Sequence, residues 1–277
     1  MSISFQAMTN SPQYLTRPEG RLAYDVRGSG PLVVCVSGMS DLRSTYRHLV
    51  GPLADAGFRV ATMELRGHGD SDTTFSTYDD EAAATDIVAL VEELGGPALV
   101  VGHSMSAGAA VIAAAARPEL VTGLALVGPF VRDPALNPVV RGLFRLIMQP
   151  GWIRPVWRAW LPGLHAGRRP ADFDAHQDAV LAALARPGHR RALARTTRTT
   201  HQPAAAVIAD VEAPALVVMG ELDKDFPDPA AEARWVAEQL DGEVLMVPEA
   251  GHYPHSQRAD LVAPALVAFA QRVTARA

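Results

Sequence analysis

The sequence predicts an α/β fold: a mostly parallel, doubly wound sheet with helices on both faces, interrupted by a helical insertion. Three observations predict it. Short β-branched apolar runs alternate with helical patterns over residues 21–127 and again over 215–276. The alternation breaks between 133 and 206, where the chain is rich in Arg, Ala, Pro and Trp and shows no strand pattern. A length of 277 residues, 48% of them hydrophobic and 20% charged, suits one large domain. Strand–helix alternation needs helical crossovers, and these cover both faces of a parallel sheet.

The elements follow in order. Residues 21–27 and 32–36 read as strands separated by the turn residues Gly28, Ser29, Gly30 and Pro31. Residues 45–56 read as a helix closed by Gly57, and 59–64 as a strand. Residues 78–94 form a helical pattern with Thr77 as its expected N-cap and Gly95-Gly96 as its stop. A strand over 98–101 runs into a sharp turn, a helix over 107–116 follows, and 121–127 is another strand. After the insertion come a strand at 215–220, a helix at 229–240, a strand at 243–247 and a helix at 260–276. The expected division is therefore a core of residues 1–132 and 207–277 carrying an insertion of residues 133–206. Such an insertion would sit over the carboxyl edge of the sheet, where open α/β sheets bind ligands.

Bulk properties narrow the function. A net charge of −5 and a pI near 6.0 give no reason to expect nucleic acid as a partner. The single cysteine, Cys35, lies in an apolar run and reads as a small buried side chain. Residues 1–13 lack the pattern of a secretory signal, and the longest apolar stretch, 107–116, is shorter than a membrane span. The expectation is a cytoplasmic protein with no membrane partner. No 20–50-residue period repeats.

The chemistry centres on Gly102-His103-Ser104-Met105-Ser106-Ala107-Gly108, directly after the apolar run Leu99-Val100-Val101. A serine on a tight strand-to-helix turn is held exposed at the strand end and needs small neighbours. The N–H of the next residue, Met105, points out of the helix N-terminus, where it can bond a developing oxyanion. This segment resembles the nucleophile elbow of the α/β-hydrolase family, Gly-x-Ser-x-Gly, with Ser106 in place of the last glycine.

A serine hydroxyl needs a base, and the base needs an orienting carboxylate. The resemblance implies the order Ser, acid, His. Of the six histidines after Ser104, His165, His176, His189 and His201 lie in or near the insertion. His252 lies in Glu249-Ala250-Gly251-His252-Tyr253-Pro254, directly after the last strand, where the family places its base; His255 is the fallback. The loop Gly220-Glu221-Leu222-Asp223-Lys224-Asp225 resembles the family's Gly-x-x-Asp and picks Asp223, with Asp225 and Glu221 as competitors. Val36-Ser37-Gly38-Met39-Ser40 corresponds to the family's His-Gly-x loop, with Ser37 for the histidine. There Gly38 permits close approach and the Met39 N–H is the second expected oxyanion donor. Glu64-Leu65-Arg66-Gly67-His68-Gly69-Asp70-Ser71 resembles a further family signature, Asp-x-Arg-Gly-x-Gly-x-Ser, and reads as structural.

Residues 132–198 hold twelve arginines and four aspartates, with no lysine or glutamate. These arginines either attract an anionic substrate or are solvated or paired with acids of the core. Trp152, Trp157 and Trp160 either pack the insertion or line a pocket, and Met39, Met105 and Met148 could add apolar lining. The resemblance implies a serine hydrolase, carboxylesterase-like, cleaving a small ester, thioester or lactone through an acyl-enzyme. It implies no metal and no organic cofactor. The substrate would be a small molecule, apolar or with an anionic group. The same triad supports perhydrolysis or carbon–carbon bond hydrolysis, and a ligand sensor of the same fold is the non-enzymatic alternative. The oligomeric state is not encoded in any motif.

Overall fold

The computed structural model describes residues 11–134 and 138–275. Strands β1 (Gln13–Arg17), β2 (Gly20–Arg27), β3 (Leu32–Val36) and β4 (Arg59–Met63) come first, with helix α1 (Arg47–Asp55) between β3 and β4. Then follow α2 (Asp80–Glu93), β5 (Ala98–His103), α3 (Met105–Ala116) and β6 (Val121–Val127). Five helices come next: α4 (Pro138–Ile147), α5 (Ile153–Leu164), α6 (Phe173–Ala185), α7 (His189–Thr196) and α8 (Gln202–Val207). The chain then returns through β7 (Ala215–Gly220), α9 (Pro229–Leu240), β8 (Glu243–Val247), α10 (Pro254–Gln257) and α11 (Ala259–Thr274).

The strands form one eight-stranded sheet in the order β1-β2-β4-β3-β5-β6-β7-β8. From β4 to β8 all pairings are parallel, while β1 and β2 form an antiparallel edge. The order reverses between β3 and β5, whose register pairs Val36 with Gly102. The loops leaving these two strands therefore diverge from one point and open a crevice at the carboxyl edge. Alternation along β3 supplies both cores: Val34 and Val36 face α2, α3 and α9, whereas Val33 and Cys35 face α1 and α11. Every residue of β3 and β5 is buried, as central strands covered on both faces must be.

Several expected elements shift. The edge strand β1 has no strand pattern of its own, since Gln13–Arg17 buries only Leu15; its antiparallel pairing with β2 makes it a strand. The helix expected at 45–56 starts as a 3₁₀ turn, Arg43–Tyr46, before α1. The N-cap of α2 is Asp79, whose carboxylate accepts the Ala82 N–H at 2.9 Å, not Thr77. The Thr77 hydroxyl instead accepts from Arg66. Helix α3 begins two residues earlier than expected, directly after Ser104. Arg276, at the end of the expected last helix, and residues 1–10 of the N-terminal stretch lie outside the described residues. Between β6 and β7, over the described part of the insertion, there is no strand. Its helices share a core of Met148, Ile153, Trp157, Leu161, Leu164, Phe173 and Leu193, closed by Tyr253 from the loop after β8. No helix of the described residues is long and apolar enough to cross a membrane.

Candidate active site

Ser104 occupies a left-handed backbone position, φ 59° and ψ −125°, between β5 and α3. A non-glycine residue there is strained. The surroundings fix it: the Ser104 N–H donates to the Val127 carbonyl at 2.9 Å, and its own carbonyl accepts from Ala107 and Phe130. The turn requires a glycine before it, since a Cβ on Gly102 would lie 2.5 Å from the Ser106 carbonyl oxygen. Ser104 is 8% exposed, and among the described residues its hydroxyl makes no hydrogen bond.

His252 follows β8 and is buried. Its Nδ1–H donates to Asp223 Oδ2 at 2.8 Å, while Asp225 Oδ2 stands at 3.7 Å. Asp223 Oδ1 accepts the Asp225 N–H at 3.0 Å, so the acid is held from both sides. The His252 ring lies over Gly128, one residue beyond the Val127 carbonyl that anchors Ser104; a Cβ on Gly128 would come 3.0 Å from Nδ1. Ser104 and His252 therefore converge on the end of β6. Burial pushes the His252 imidazole down, but the Asp223 and Asp225 carboxylates outweigh it and raise it above its ordinary value. The Nε2 atom makes no hydrogen bond among the described residues. Next to it, His103 donates Nε2–H to the His252 carbonyl at 2.9 Å. Burial pushes His103 down to about 3, so it stays neutral. The fallback His255 is fully buried, contacts Thr45 Oγ1 at 2.9 Å, and is pushed well down by burial. The third acid candidate, Glu221, is exposed.

The loop after β3 comes within van der Waals distance of the serine. A Cβ on Gly38 would sit 2.8 Å from His103 Nδ1 and 3.0 Å from Ser104 Cβ. The Met39 N–H makes no hydrogen bond among the described residues, and the Met105 N–H opens α3, where helix geometry leaves it free. The departures from the family pattern at Ser106 and Ser37 touch each other: the Ser106 hydroxyl donates to the Ser37 carbonyl at 2.5 Å. A hydroxyl on the elbow helix thus holds the loop that lacks the usual histidine.

The Glu64–Ser71 turn is held by buried side chains. Glu64 is buried, pairs with Arg43 at 2.9 Å and accepts the Asp70 N–H at 2.6 Å. Burial lifts its carboxyl to about 7. His68 is buried, bonds its own turn at the Arg66 carbonyl, and is pushed down to about 4 by burial. Four groups near the site carried no sequence signal. Asp41 is buried and accepts from His176 Nε2 at 2.9 Å. Gln257 bridges the His252 loop to the insertion. The His165 ring stacks on Tyr253 at 4.2 Å. Arg132, the last residue before the insertion, pairs with Glu232, and the insertion's Arg186 pairs with Asp70, both acids of the core. Trp157 is buried in the insertion core, whereas Trp152 and Trp160 are exposed.

Comparison with known proteins identifies the family. The model of the Alpha/beta hydrolase family matches residues 33–265. A 2-(acetamidomethylene)succinate hydrolase of Mesorhizobium japonicum is 28% identical over 258 residues, covering 90% of this chain and 92% of the relative. A Mycobacterium tuberculosis protein carried under the name non-heme bromoperoxidase BpoC is 31% identical over 265 residues, covering 92% and 99%. Among solved structures, a bromoperoxidase from Bacillus anthracis superposes with a TM-score of 0.82 at 18% identity, covering 94% of this chain and all of that one. At that identity the likeness is one of fold.

Proposed function

The chain belongs to the alpha/beta hydrolase family, and from that premise we propose that it cleaves a small ester, thioester or lactone by serine acyl transfer to water. The observation that carries the reading is the 2.8 Å bond from His252 to Asp223, set beside a serine in a left-handed turn at the sheet's carboxyl edge. Ser104 is the nucleophile. His252 Nε2 takes its proton as Oγ attacks the carbonyl carbon, and Asp223 stabilises the imidazolium that results. The N–H groups of Met39 and Met105 hold the oxyanion. The imidazolium then protonates the leaving group, the C–O or C–S bond breaks, and water, deprotonated by His252, releases the acyl group from Ser104. The Ser104 hydroxyl and His252 Nε2 come into hydrogen-bond contact when substrate fills the site. The helical insertion, residues 133–206, acts in this reading as a cap. Asp223 and Asp225 face the imidazole, and their charge favours a substrate that is neutral next to its scissile carbonyl.

The test is hydrolysis of p-nitrophenyl esters and lactones of varied length and charge. Ser104→Ala is expected to remove turnover while keeping the circular dichroism spectrum, and a fluorophosphonate is expected to label Ser104. Retained turnover in the variant, or labelling at Ser106, would sink the proposal. An N-acyl enamide dicarboxylate belongs in the same panel, because the Mesorhizobium relative is named for hydrolysing one.

A further inference from the structure

Both loops that carry the reacting groups are held by the helical insertion. Gln257, in α10, is buried and uses its whole amide. Its Oε1 accepts the N–H groups of Gly251 at 2.9 Å and Tyr253 at 3.3 Å, the residues on either side of His252. Its Nε2 donates to the carbonyls of Ala166 at 2.9 Å and Arg168 at 2.7 Å, in the turn after α5. Backbone bonds reinforce the joint: His252 N–H to the Leu164 carbonyl at 2.7 Å, and Arg168 N–H to the Glu249 carbonyl at 2.8 Å.

The Met39 loop is held from the other side. His176, on α6, donates to Asp41 Oδ1, which also accepts the Leu42 N–H at 2.7 Å. The Asp41 N–H in turn donates to the Gly38 carbonyl at 3.3 Å, so the turn carrying Met39 ends on the residue that His176 grips. Burial would raise the Asp41 carboxyl, but His176 overcomes it and holds it below the ordinary range. Asp41 Oδ2 and His176 Nδ1 are buried without partners among the described residues. A role in packing alone would be filled at lower cost by apolar side chains.

We infer that Gln257 and His176 are positioning residues through which the helical insertion sets the placement of the base and of an oxyanion donor. The insertion is then a fixed template for both loops, not a cover that lifts away as a unit. This rests on the hydrolase reading above. A displacement of about 1 Å in a reacting group can cost roughly a hundredfold in rate. Such a loss falls on kcat, because the substrate's own contacts are unchanged.

The experiment measures kcat and KM for p-nitrophenyl acetate with Ser104→Ala as the control. Gln257→Met removes all four bonds at similar volume. Gln257→Glu keeps acceptors toward Gly251 and Tyr253 but loses the donors to Ala166 and Arg168. His176→Leu removes the donor to Asp41, and His176→Gln keeps one. The expected result is a kcat loss of about 10–100-fold in Gln257→Met, Gln257→Glu and His176→Leu, with KM within about twofold. His176→Gln should recover most of the rate. Unchanged kcat in folded Gln257→Met and His176→Leu overturns the inference, as does a rise in KM at constant kcat. If Gln257→Met does not fold, the His176→Leu and His176→Gln pair decides alone. Turnover in Ser104→Ala would overturn the parent reading. An inactive Ser104→Ala beside fully active positional variants would overturn only this inference.

Discussion

Asp223 and Asp225 face the same imidazole, and what separates them is a hydrogen bond. Asp223 is fully desolvated and bonded to Nδ1; Asp225 is 3.7 Å away with its side chain 21% exposed. An orienting carboxylate fixes both the tautomer and the ring, and in serine proteases its change to Asn costs about 10⁴ in kcat. Asp223→Asn is therefore expected to lower kcat about 10³–10⁴-fold, and Asp225→Asn only a few-fold. The pH profile separates them further. His252 must be neutral to accept the serine proton, so activity rises with pH as the imidazolium deprotonates. Both carboxylates raise that transition above the ordinary histidine value near 6.5. Removing the Asp225 charge should move the acid limb of kcat/KM to lower pH. A limb that moves upward would show that the Asp225 charge does not act on His252, and a larger loss in Asp225→Asn than in Asp223→Asn would transfer the orienting role.

At the scale of elements, the parallel register of β3 and β5 does the positioning. Pairing Val36 with Gly102 delivers the loop after one strand to the elbow after the other, and Gly38 is the point of contact. A methyl group there would meet His103 Nδ1 and Ser104 Cβ, both held from behind, so the loop must retreat. Gly38→Ala is expected to lower kcat about 10²–10³-fold, the cost of one displaced oxyanion donor, with little change in Tm; near-wild-type kcat would show that the Met39 N–H is not the donor. Elements of this kind were legible in the sequence because strand, turn and helix impose residues within a few positions of each other. The elbow, Gly38, Gly251 and the loops after β7 and β8 all follow that rule. The groups that gave no signal have distant partners. His176 reaches Asp41 across 135 positions, and Gln257 reaches Ala166 and Arg168 across 91 and 89. No local pattern encodes such pairs. The edge strand β1 was silent for a related reason: a strand that buries one side chain is defined by its partner rather than by its own periodicity.

On the scale of the whole molecule, a basic insertion sits on an acidic core, and part of that charge is spent in pairs between them. Arg186–Asp70 runs from insertion to core, Arg132–Glu232 joins the residue just before the insertion to α9, and Arg47–Asp172 runs from core to insertion. The first two leave their arginines more than a third exposed and contribute little. Arg47 differs, because its guanidinium grips Asp172 through Nε and Nη2, each at 2.6 Å, and its side chain is largely buried. The bidentate bond from Arg47 holds the Asp172 carboxyl down at about 2. A carboxyl held below its unfolded value stabilises the fold above that value, and the stabilisation disappears as pH falls through the folded one. Arg47→Met keeps the apolar stem and removes the pair, so it should lower stability by about 1 kcal/mol near pH 7, a figure already discounted for solvent screening. The difference between wild type and variant should persist down to about pH 4 and close between about pH 4 and pH 2, as Asp172 protonates in the wild type. Urea unfolding of both proteins across that range measures it. Because Asp172 leads into α6, which carries His176, the same variant should also expose the insertion to protease sooner than the core. A difference in stability that does not change with pH would mean that packing of the Arg47 stem, rather than the ion pair, fastens the insertion at this corner.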